Sequence, residues 1–475
     1  MAATPRHDAL LDALADRLGP SGLLREPQAM DRYISDWAGE RLGLPLAVAR
    51  PASTEEVAAT VALCHRHGVP MTPQGGHSGL VTGALPAADG GELVISLERL
   101  DRVRELDPIN FTVTVDAGCI LENVKQAAWE HGCDFPLSLG AQGSCQIGGN
   151  IATNAGGLNV LRHGMMRQLV LGLEVVLPDG RLWSSLSALH KDNRGIDLKQ
   201  LFLGSEGTLG IVTGAVLKLT PRATRSRTAL LGLPSVTAVV DLYARARRDC
   251  SDLLSAFELI PRRCIELAME ATPSLGDPLD DPHPWYVLME VAASGPLDLD
   301  AMLEQLLEGG MEGGLVLDGA LATSEAQANR LWQFRESMLE GQRRRGEHLR
   351  TDISVPISAI PAFVERAAKA VQHASPASEI IAYGHVGDGN LHFNILPPDM
   401  AEGDKKAHLH ALEERLFAVL DEFGGSISAE HGIGRTKQTA YLARLSPLER
   451  ELAEGIKVLF DPDGLMNPGR ILPED

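Results

Sequence analysis

The stretch "YGHVGDGNLHFNI", residues 383–395, places His385 and His392 on either side of a Gly-Asp-Gly-Asn turn. Strand formers flank a turn rich in residues that tolerate positive φ. The segment therefore reads as a β-hairpin whose arms bring the two imidazoles back toward each other. Past the turn, His392 and Asn394 share one face, and Phe393 and Ile395 take the other. Two imidazoles converging from paired strands begin a metal site, but two ligands are too few for Zn²⁺, so a third has to come from elsewhere. A second chemistry is written in glycine. Three segments, "PQGGHSGLVTGALP" (73–86), "GAQGSCQIGGNIATNAGG" (140–157) and "LFLGSEGTLGIVTGAVLKL" (201–219), carry little side-chain bulk. Such backbone presses closely on a ligand, and successive unhindered N–H groups form anion-binding nests, so a pyrophosphate is the natural guest of the first two. None has the spacing of a Rossmann turn: "GSEGTLG" follows a strand-like run but opens into another strand instead of a helix.

The elements that must position these groups are legible in part. "STEEVAATVALCHRHG" offers Ser53 as N-cap, Glu56 to complete a capping box, Val57, Val61 and Cys64 at helical spacing, and Gly68 as stop. "ELVISL" and "FTVTVDAG" read as strands, and "LENVKQAAWEHG" as a helix ended by Gly132. After "LKLTPRATRSRT" the glycines thin out, which puts a domain boundary near residue 222. "ATPSLGDPLDDPHP" (271–284) reads as an exposed loop. "LWQFRESMLEGQRRRG" reads as a helix with Leu331, Phe334 and Met338 on one apolar stripe, and "HLRTDISVP" as a strand with a polar face. A chain of 475 residues exceeds one core, so two domains, interleaved or not, are expected. A net charge of −20, with no basic run beyond Arg343, Arg344 and Arg345, argues against nucleic acid or an anionic membrane as partner. The six cysteines stand singly at irregular spacings, as buried thiols of a reducing compartment do. The N-terminal "MAATPRHDALLDALADRL" lacks a secretory apolar core, and no stretch offers 18 uninterrupted apolar residues. The expectation is a soluble cytoplasmic protein without a transmembrane segment.

Six motifs in order, "PQGGHSGL", "IGGNIATNAGG", "LFLGSEGTLGIVT", "GHVGDGNLHFN", "SAEHGIG" and "DPDGLMNPG", resemble the FAD-linked D-2-hydroxy acid dehydrogenases of the vanillyl-alcohol oxidase superfamily. The resemblance runs from about residue 45 to the C-terminus and implies an α+β fold. In that fold a two-subdomain FAD-binding domain (1–222, completed by the tail 428–475) receives an inserted α+β substrate or cap domain (223–427). Carried over by motif, Gly75, Gly76, Ser78, Gly79 and Leu80 cradle the pyrophosphate, and Gly148, Gly149, Thr153 and Gly156 line the flavin. Ile211 contributes backbone contacts and Asn467 sits by the flavin, with Pro73, His77, Ser144, Glu206 and Gly210 assigned to the same cofactor site. His77 departs from the asparagine frequent in the nearest subgroup. Covalent attachment of FAD through His77 and a plain hydrogen bond near the pyrophosphate are both open, and the non-covalent reading is the expectation.

The resemblance also puts a divalent metal, expected to be Zn²⁺, on His385, His392 and Glu430. In "SAEHGIG", Glu430 and His431 are bounded by small residues, and two imidazoles with one carboxylate match a catalytic Zn²⁺ set with an open position. A metal-bound substrate hydroxyl becomes acidic enough for imidazole, which makes His431 the candidate base, with orientation of Glu430 as its blander role. Arg335 matches the family's carboxylate-binding arginine, and Arg350 and Asn394 join it as catalytic candidates. Arg350 stands where lysine is usual, Thr351 where histidine is common, and Leu339 where a hydroxyl side chain is frequent, so the substrate's distal end stays undecided among D-2-hydroxyglutarate, D-lactate and similar acids. Turnover requires a separate electron acceptor, of electron-transfer flavoprotein, quinone or cytochrome type. A homodimer is open. Two competing readings are a zinc hydrolase with merely structural glycine loops, and a flavoprotein electron-relay subunit without a small substrate of its own.

Overall fold

A computed structural model of the chain describes residues 5–473, so Met1–Thr4 of the N-terminal pattern lie outside the described residues. The chain divides into two compact units. The first comprises Met1–Gly157, His163–Arg222 and Glu430–Asp475, the second Leu158–Arg162 and Ala223–Ala429. Both mix helices with sheets, as an α+β fold requires.

The first unit holds two sheets over one apolar core that includes Val57, Val61, Ile95, Phe135, Ile147, Leu173 and Met466. In the four-stranded sheet the order is Leu23–Leu24, Ala47–Ala49, Leu93–Ser96, Met71–Gln74, and the last two pairings are parallel. The helix Thr54–His67 carries the chain across from Ala47–Ala49 to Met71–Gln74, the two strands that flank Leu93–Ser96 in the same direction. Its N-cap is Ser53, whose hydroxyl accepts from Glu56 N–H, and its stop is Gly68 at φ +54. The reciprocal half of the expected capping box differs: the Glu56 carboxylate accepts from Ala52 N–H at 2.8 Å, one residue before the cap. The five-stranded sheet, in the order Val103–Asp107, Thr112–Asp116, Ile211–Lys218, Val170–Val176, Leu182–Ser185, is antiparallel throughout.

The second unit is built on a seven-stranded antiparallel sheet. Its order is Asp318–Leu321, Arg225–Leu233, Trp285–Ala293, Leu254–Pro261, Glu379–His385, Asn390–Leu396, Ile353–Ser354. Helices Arg262–Ala271 and Glu325–Arg343 cover one face, where Ile265, Leu331, Phe334 and Met338 pack on Leu230, Leu288, Ile381 and Tyr383. On the other face Phe363 meets Phe393 edge-on, ring centroids 6.1 Å apart. The 272–284 segment is a loop pinned by buried Leu275 and Leu279. "HLRTDISVP" departs from the strand expected of it, because only Ile353–Ser354 pairs as a strand and Thr351, Asp352 and Ile353 are buried in succession. The physical reason is that side chains replace ladder bonds there. Thr351 N–H donates to Asn394 Oδ1 at 3.1 Å, Thr351 Oγ1 donates to the Phe393 carbonyl at 2.9 Å, and Asn390 Nδ2 donates to Asp352 Oδ1 at 3.0 Å. Among the described residues no helix is long and apolar enough to cross a membrane.

Candidate functional site

In the first unit the three glycine segments and the C-terminal tail converge. A Cβ on Gly76 would lie 2.0 Å from the Ser144 carbonyl oxygen, so the first two segments touch backbone to backbone and only glycine fits. Gly148, in the short helix Ile147–Ala152, is also close against Ala117, its virtual Cβ 2.9 Å from the alanine Cβ. Thr153 closes that helix, its hydroxyl donating to the Gly149 carbonyl at 3.0 Å, and Gly156 is buried behind it. Glu206 N–H donates to the Ala152 carbonyl at 2.7 Å, tying the third segment to the second. A Cβ on Gly207 would meet the Pro73 ring at 2.7 Å. Gly79 and Gly149, by contrast, face open space, with no atom within 4 Å of a virtual Cβ. Ser78 and Leu80 border the loop at its more exposed end, whereas Gly210 and Ile211 start the central strand of the antiparallel sheet inside the core.

Backbone strain concentrates here. His77, Asn154, Glu206 and Asn467 occupy the left-handed region at φ +56, +50, +50 and +48. Each such residue costs about 1–3 kcal/mol and persists where the surroundings over-determine it, a pattern of ligand sites. The same segments hold buried polar atoms without hydrogen-bond partners: Gln74 Oε1, both ring nitrogens of His77, Gln146 Oε1, Asn150 Oδ1 and Asn467 Oδ1. An orphaned buried polar atom costs about 1–3 kcal/mol, so five such side chains around one set of glycine loops fit a large polar ligand. FAD fits: its ribityl hydroxyls and ring N–H can meet the amide oxygens, and the open glycines leave its pyrophosphate room at backbone N–H groups. Burial lowers the pKa of His77, opposed by the nearby Ser35 backbone, and Tyr33 lies edge-on at 6.2 Å between ring centroids.

Glu206 does something the sequence did not suggest. Its carboxylate accepts from Ile433 N–H at 2.7 Å and Gly434 N–H at 2.8 Å, so it clamps the "HGIG" loop that carries Glu430 and His431. Burial raises its pKa, and the two backbone N–H groups oppose the rise. Asn467 Nδ2 donates to the Glu206 carbonyl at 2.7 Å, and Asn467 N–H donates to the Met71 carbonyl at 2.8 Å. The tail is locked further by Arg470, fully buried, whose guanidinium reaches Glu92 Oε1 at 2.9 Å; Arg435 approaches the same oxygen at 3.3 Å.

In the second unit the hairpin is present, with strands Glu379–His385 and Asn390–Leu396 joined through Gly389 at φ +81. Tyr383 opposes His392 and His385 opposes Asn390, so both imidazoles lie on one sheet face, ring centroids 5.9 Å apart. His392 Nδ1 lies 3.2 Å from the Thr351 carbonyl oxygen, which assigns the proton to Nδ1 and the lone pair to Nε2. His385 Nδ1 lies 2.5 Å from Glu258 Oε1, with the same consequence. Glu258 Oε2 accepts from Arg335 Nε at 2.9 Å, and the guanidinium carbon of Arg335 sits 4.9 Å from the Tyr383 ring centroid. Burial raises the Glu258 pKa, but the neighbouring His385 and Arg335 outweigh it and hold the carboxyl down to about 2. Among the described residues the two η nitrogens of Arg335 have no hydrogen-bond partner. Asn394 donates to Gln342 Oε1 at 2.7 Å and accepts from Thr351 N–H at 3.1 Å. Arg350 is exposed, its Nε 3.3 Å from His348 Nε2. Glu430 and His431 belong to the first unit and are half-buried.

Sequence reasoning missed Glu258 altogether. The available signal was a lone carboxylate in the apolar run "LSAFELIP", where a charge is buried only with a partner.

The fold is that of the vanillyl-alcohol oxidase flavoproteins: 4-ethylphenol oxidase from Gulosibacter chungangensis superposes with a TM-score of 0.76 over 100% of this chain and 99% of that chain, at 17% identity. Residues 45–185 match the family described as "FAD binding domain", and residues 222–471 that described as "FAD linked oxidases, C-terminal domain". The D-2-hydroxyglutarate dehydrogenase of Xanthomonas citri pv. viticola is 41% identical over 450 residues, 94% of this chain and 94% of that protein. The mitochondrial D-2-hydroxyglutarate dehydrogenase of Bos taurus is 37% identical over 461 residues, 97% of this chain and 83% of that protein. The chain belongs to the FAD-linked D-2-hydroxy acid dehydrogenases, flavoenzymes that oxidise a CH–OH group. The reading in which the glycine loops are only structural falls with that match.

Proposed function

We propose that the chain oxidises a D-2-hydroxy acid, with D-2-hydroxyglutarate foremost, to the 2-oxo acid, holding FAD in the first unit and the acid against the histidine face of the second. The observation that carries this reading is the grouping of buried His385 with half-buried His392 and Arg335 on one polar face in a chain 41% identical to a D-2-hydroxyglutarate dehydrogenase. Arg335, with Nε occupied by Glu258, offers two parallel η N–H donors to the substrate carboxylate. A divalent ion, proposed to be Zn²⁺, would be held by Nε2 of His385 and His392 with Glu430 as third ligand. That donor set suits a borderline cation with an open position. His431 takes the proton from the substrate hydroxyl, and Glu206 holds the loop from which it acts. When bound, FAD supplies the hydride acceptor and the metal lowers the pKa of the hydroxyl. Asn394 organises Thr351 and Gln342 beside the histidines. Arg350 is the candidate contact for the distal end of the acid. The cofactor is held without a covalent bond, and a separate acceptor of electron-transfer flavoprotein, quinone or cytochrome type takes the electrons. Six buried cysteines without disulfides support a reducing, cytoplasmic setting.

The test is a panel of D- and L-2-hydroxy acids assayed with an artificial acceptor, before and after chelation. Turnover of D-2-hydroxyglutarate that chelation abolishes and Zn²⁺ restores, with FAD retained throughout, is expected. Full activity in protein shown by elemental analysis to be metal-free would overturn the metal assignment. Turnover of L-acids alone would overturn the substrate.

A further inference from the structure

One buried carboxylate touches both halves of the histidine face. Glu258 lies opposite His385 in the pairing of strands Leu254–Pro261 and Glu379–His385, so the two side chains leave the sheet on the same side. Its Oε1 is 2.5 Å from His385 Nδ1 and its Oε2 is 2.9 Å from Arg335 Nε. The Glu258 side chain is 1% exposed, and Arg335 is clamped between it and the Tyr383 ring. We infer that Glu258 is a positioning residue that fixes His385 for metal coordination with one oxygen and aims Arg335 at the substrate carboxylate with the other. The inference rests on the proposed metal and anchor roles of those two residues.

The geometry gives each contact a separate consequence. A hydrogen bond at Nδ1 selects the tautomer whose Nε2 carries the lone pair and fixes the ring plane, as carboxylates behind metal-binding histidines do. Use of Arg335 Nε, instead of an η nitrogen, leaves the two-pronged end of the guanidinium for a carboxylate. Because one rigid group serves both, the metal and the anchor are held at a fixed spacing. A residue that only filled core volume would influence neither the tautomer of His385 nor the aim of the Arg335 guanidinium.

The experiment uses the full-length, FAD-loaded protein, with metal affinity read without substrate and KM read separately in steady-state assays of the metal-loaded enzyme. Zn²⁺ affinity is measured by competition with a chromophoric chelator for the wild type, Glu258→Gln, Arg335→Lys and His385→Ala. Glu258→Gln should weaken Zn²⁺ binding about 10- to 100-fold, the cost typical of losing a group that orients a metal ligand. It should also raise KM for the hydroxy acid. Arg335→Lys should raise KM while leaving Zn²⁺ affinity within about threefold. Should Glu258→Gln fail to fold, nitrogen-15 NMR of histidine-labelled wild-type protein, with His385 assigned by the His385→Ala difference, supplies the second arm. His385 protonated on Nδ1 supports the inference, and protonation on Nε2 alone overturns it. Wild-type affinity for Zn²⁺ that His385→Ala leaves unchanged would overturn the metal reading beneath the inference. Affinity lost in His385→Ala but unchanged in Glu258→Gln would overturn the role of Glu258 alone.

Discussion

Arg335→Ala removes two things that kinetics alone would confuse. The first is the proposed anchor: a charge-assisted bond to a carboxylate contributes about 1.5–3 kcal/mol, so KM should rise about 10- to 150-fold. The second is visible without substrate. Arg335 is the cation beside a fully buried Glu258, and truncating one partner of a buried pair strands the other, at about 3–5 kcal/mol. For a unit of this size each kcal/mol moves Tm by roughly 2–4 °C, which makes the expected drop roughly 6–20 °C. Thermal unfolding followed by circular dichroism in substrate-free protein measures the second effect, and steady-state kinetics below the transition measure the first. Adding Glu258→Gln to Arg335→Ala should return part of the lost stability, because no charge is then left unpaired, while KM stays high. Arg335→Lys should keep more stability than the alanine variant and recover only part of KM, having lost the planar fork. An Arg335→Ala protein with unchanged Tm would refute the buried-pair argument. Unchanged KM would place the arginine outside substrate binding.

Two further outcomes follow from the first unit. Acid precipitation should release FAD into the supernatant, and His77→Asn should keep flavin and activity, since asparagine tolerates the left-handed φ of +56 found there. A yellow pellet, with protein heavier by the mass of FAD under denaturing mass spectrometry, would make His77 a covalent anchor instead. Burial raises the pKa of Glu92, but the hydrogen bond and charge of Arg470 outweigh it and hold the carboxyl below its ordinary value. A folded pKa below the unfolded one gives stability that is present above about pH 4.3 and lost as the pH falls through the folded value. Arg470→Met should therefore lose stability at neutral pH and show a shallower decline in acid. Urea midpoints across that range decide it, and parallel curves would contradict the assignment.

Much of the arrangement around the candidate site was legible because glycine and histidine carry local signals. Gly76 and Gly148 have no room for a side chain, and the hairpin histidines are set on one face by the period of two along a strand. The capped helix from Thr54 to His67 was equally local. What failed depended on tertiary partners. "HLRTDISVP" alternates like a strand, yet Asn394 and Asn390 take over its hydrogen bonds from residues about 40 positions away. Glu206, assigned to the cofactor site from its place among the glycines, also accepts through its carboxylate from the Ile433 and Gly434 backbone, 227 and 228 residues on, a contact no local signal encodes. Glu258 lies 127 residues from His385 and 77 from Arg335, a pairing that only the sheet order of the second unit creates.

The central claim is that this chain passes a hydride from a D-2-hydroxy acid to its own FAD. Anaerobic mixing of purified, FAD-loaded protein with D-2-hydroxyglutarate, followed by visible absorption, tests it without any external acceptor. Bleaching of the flavin bands with one equivalent of 2-oxo acid formed per flavin is the predicted result, and the L-enantiomer should leave the spectrum unchanged. A flavin that stays oxidised with every D-2-hydroxy acid offered would contradict the account and return the chain to an electron-relay role.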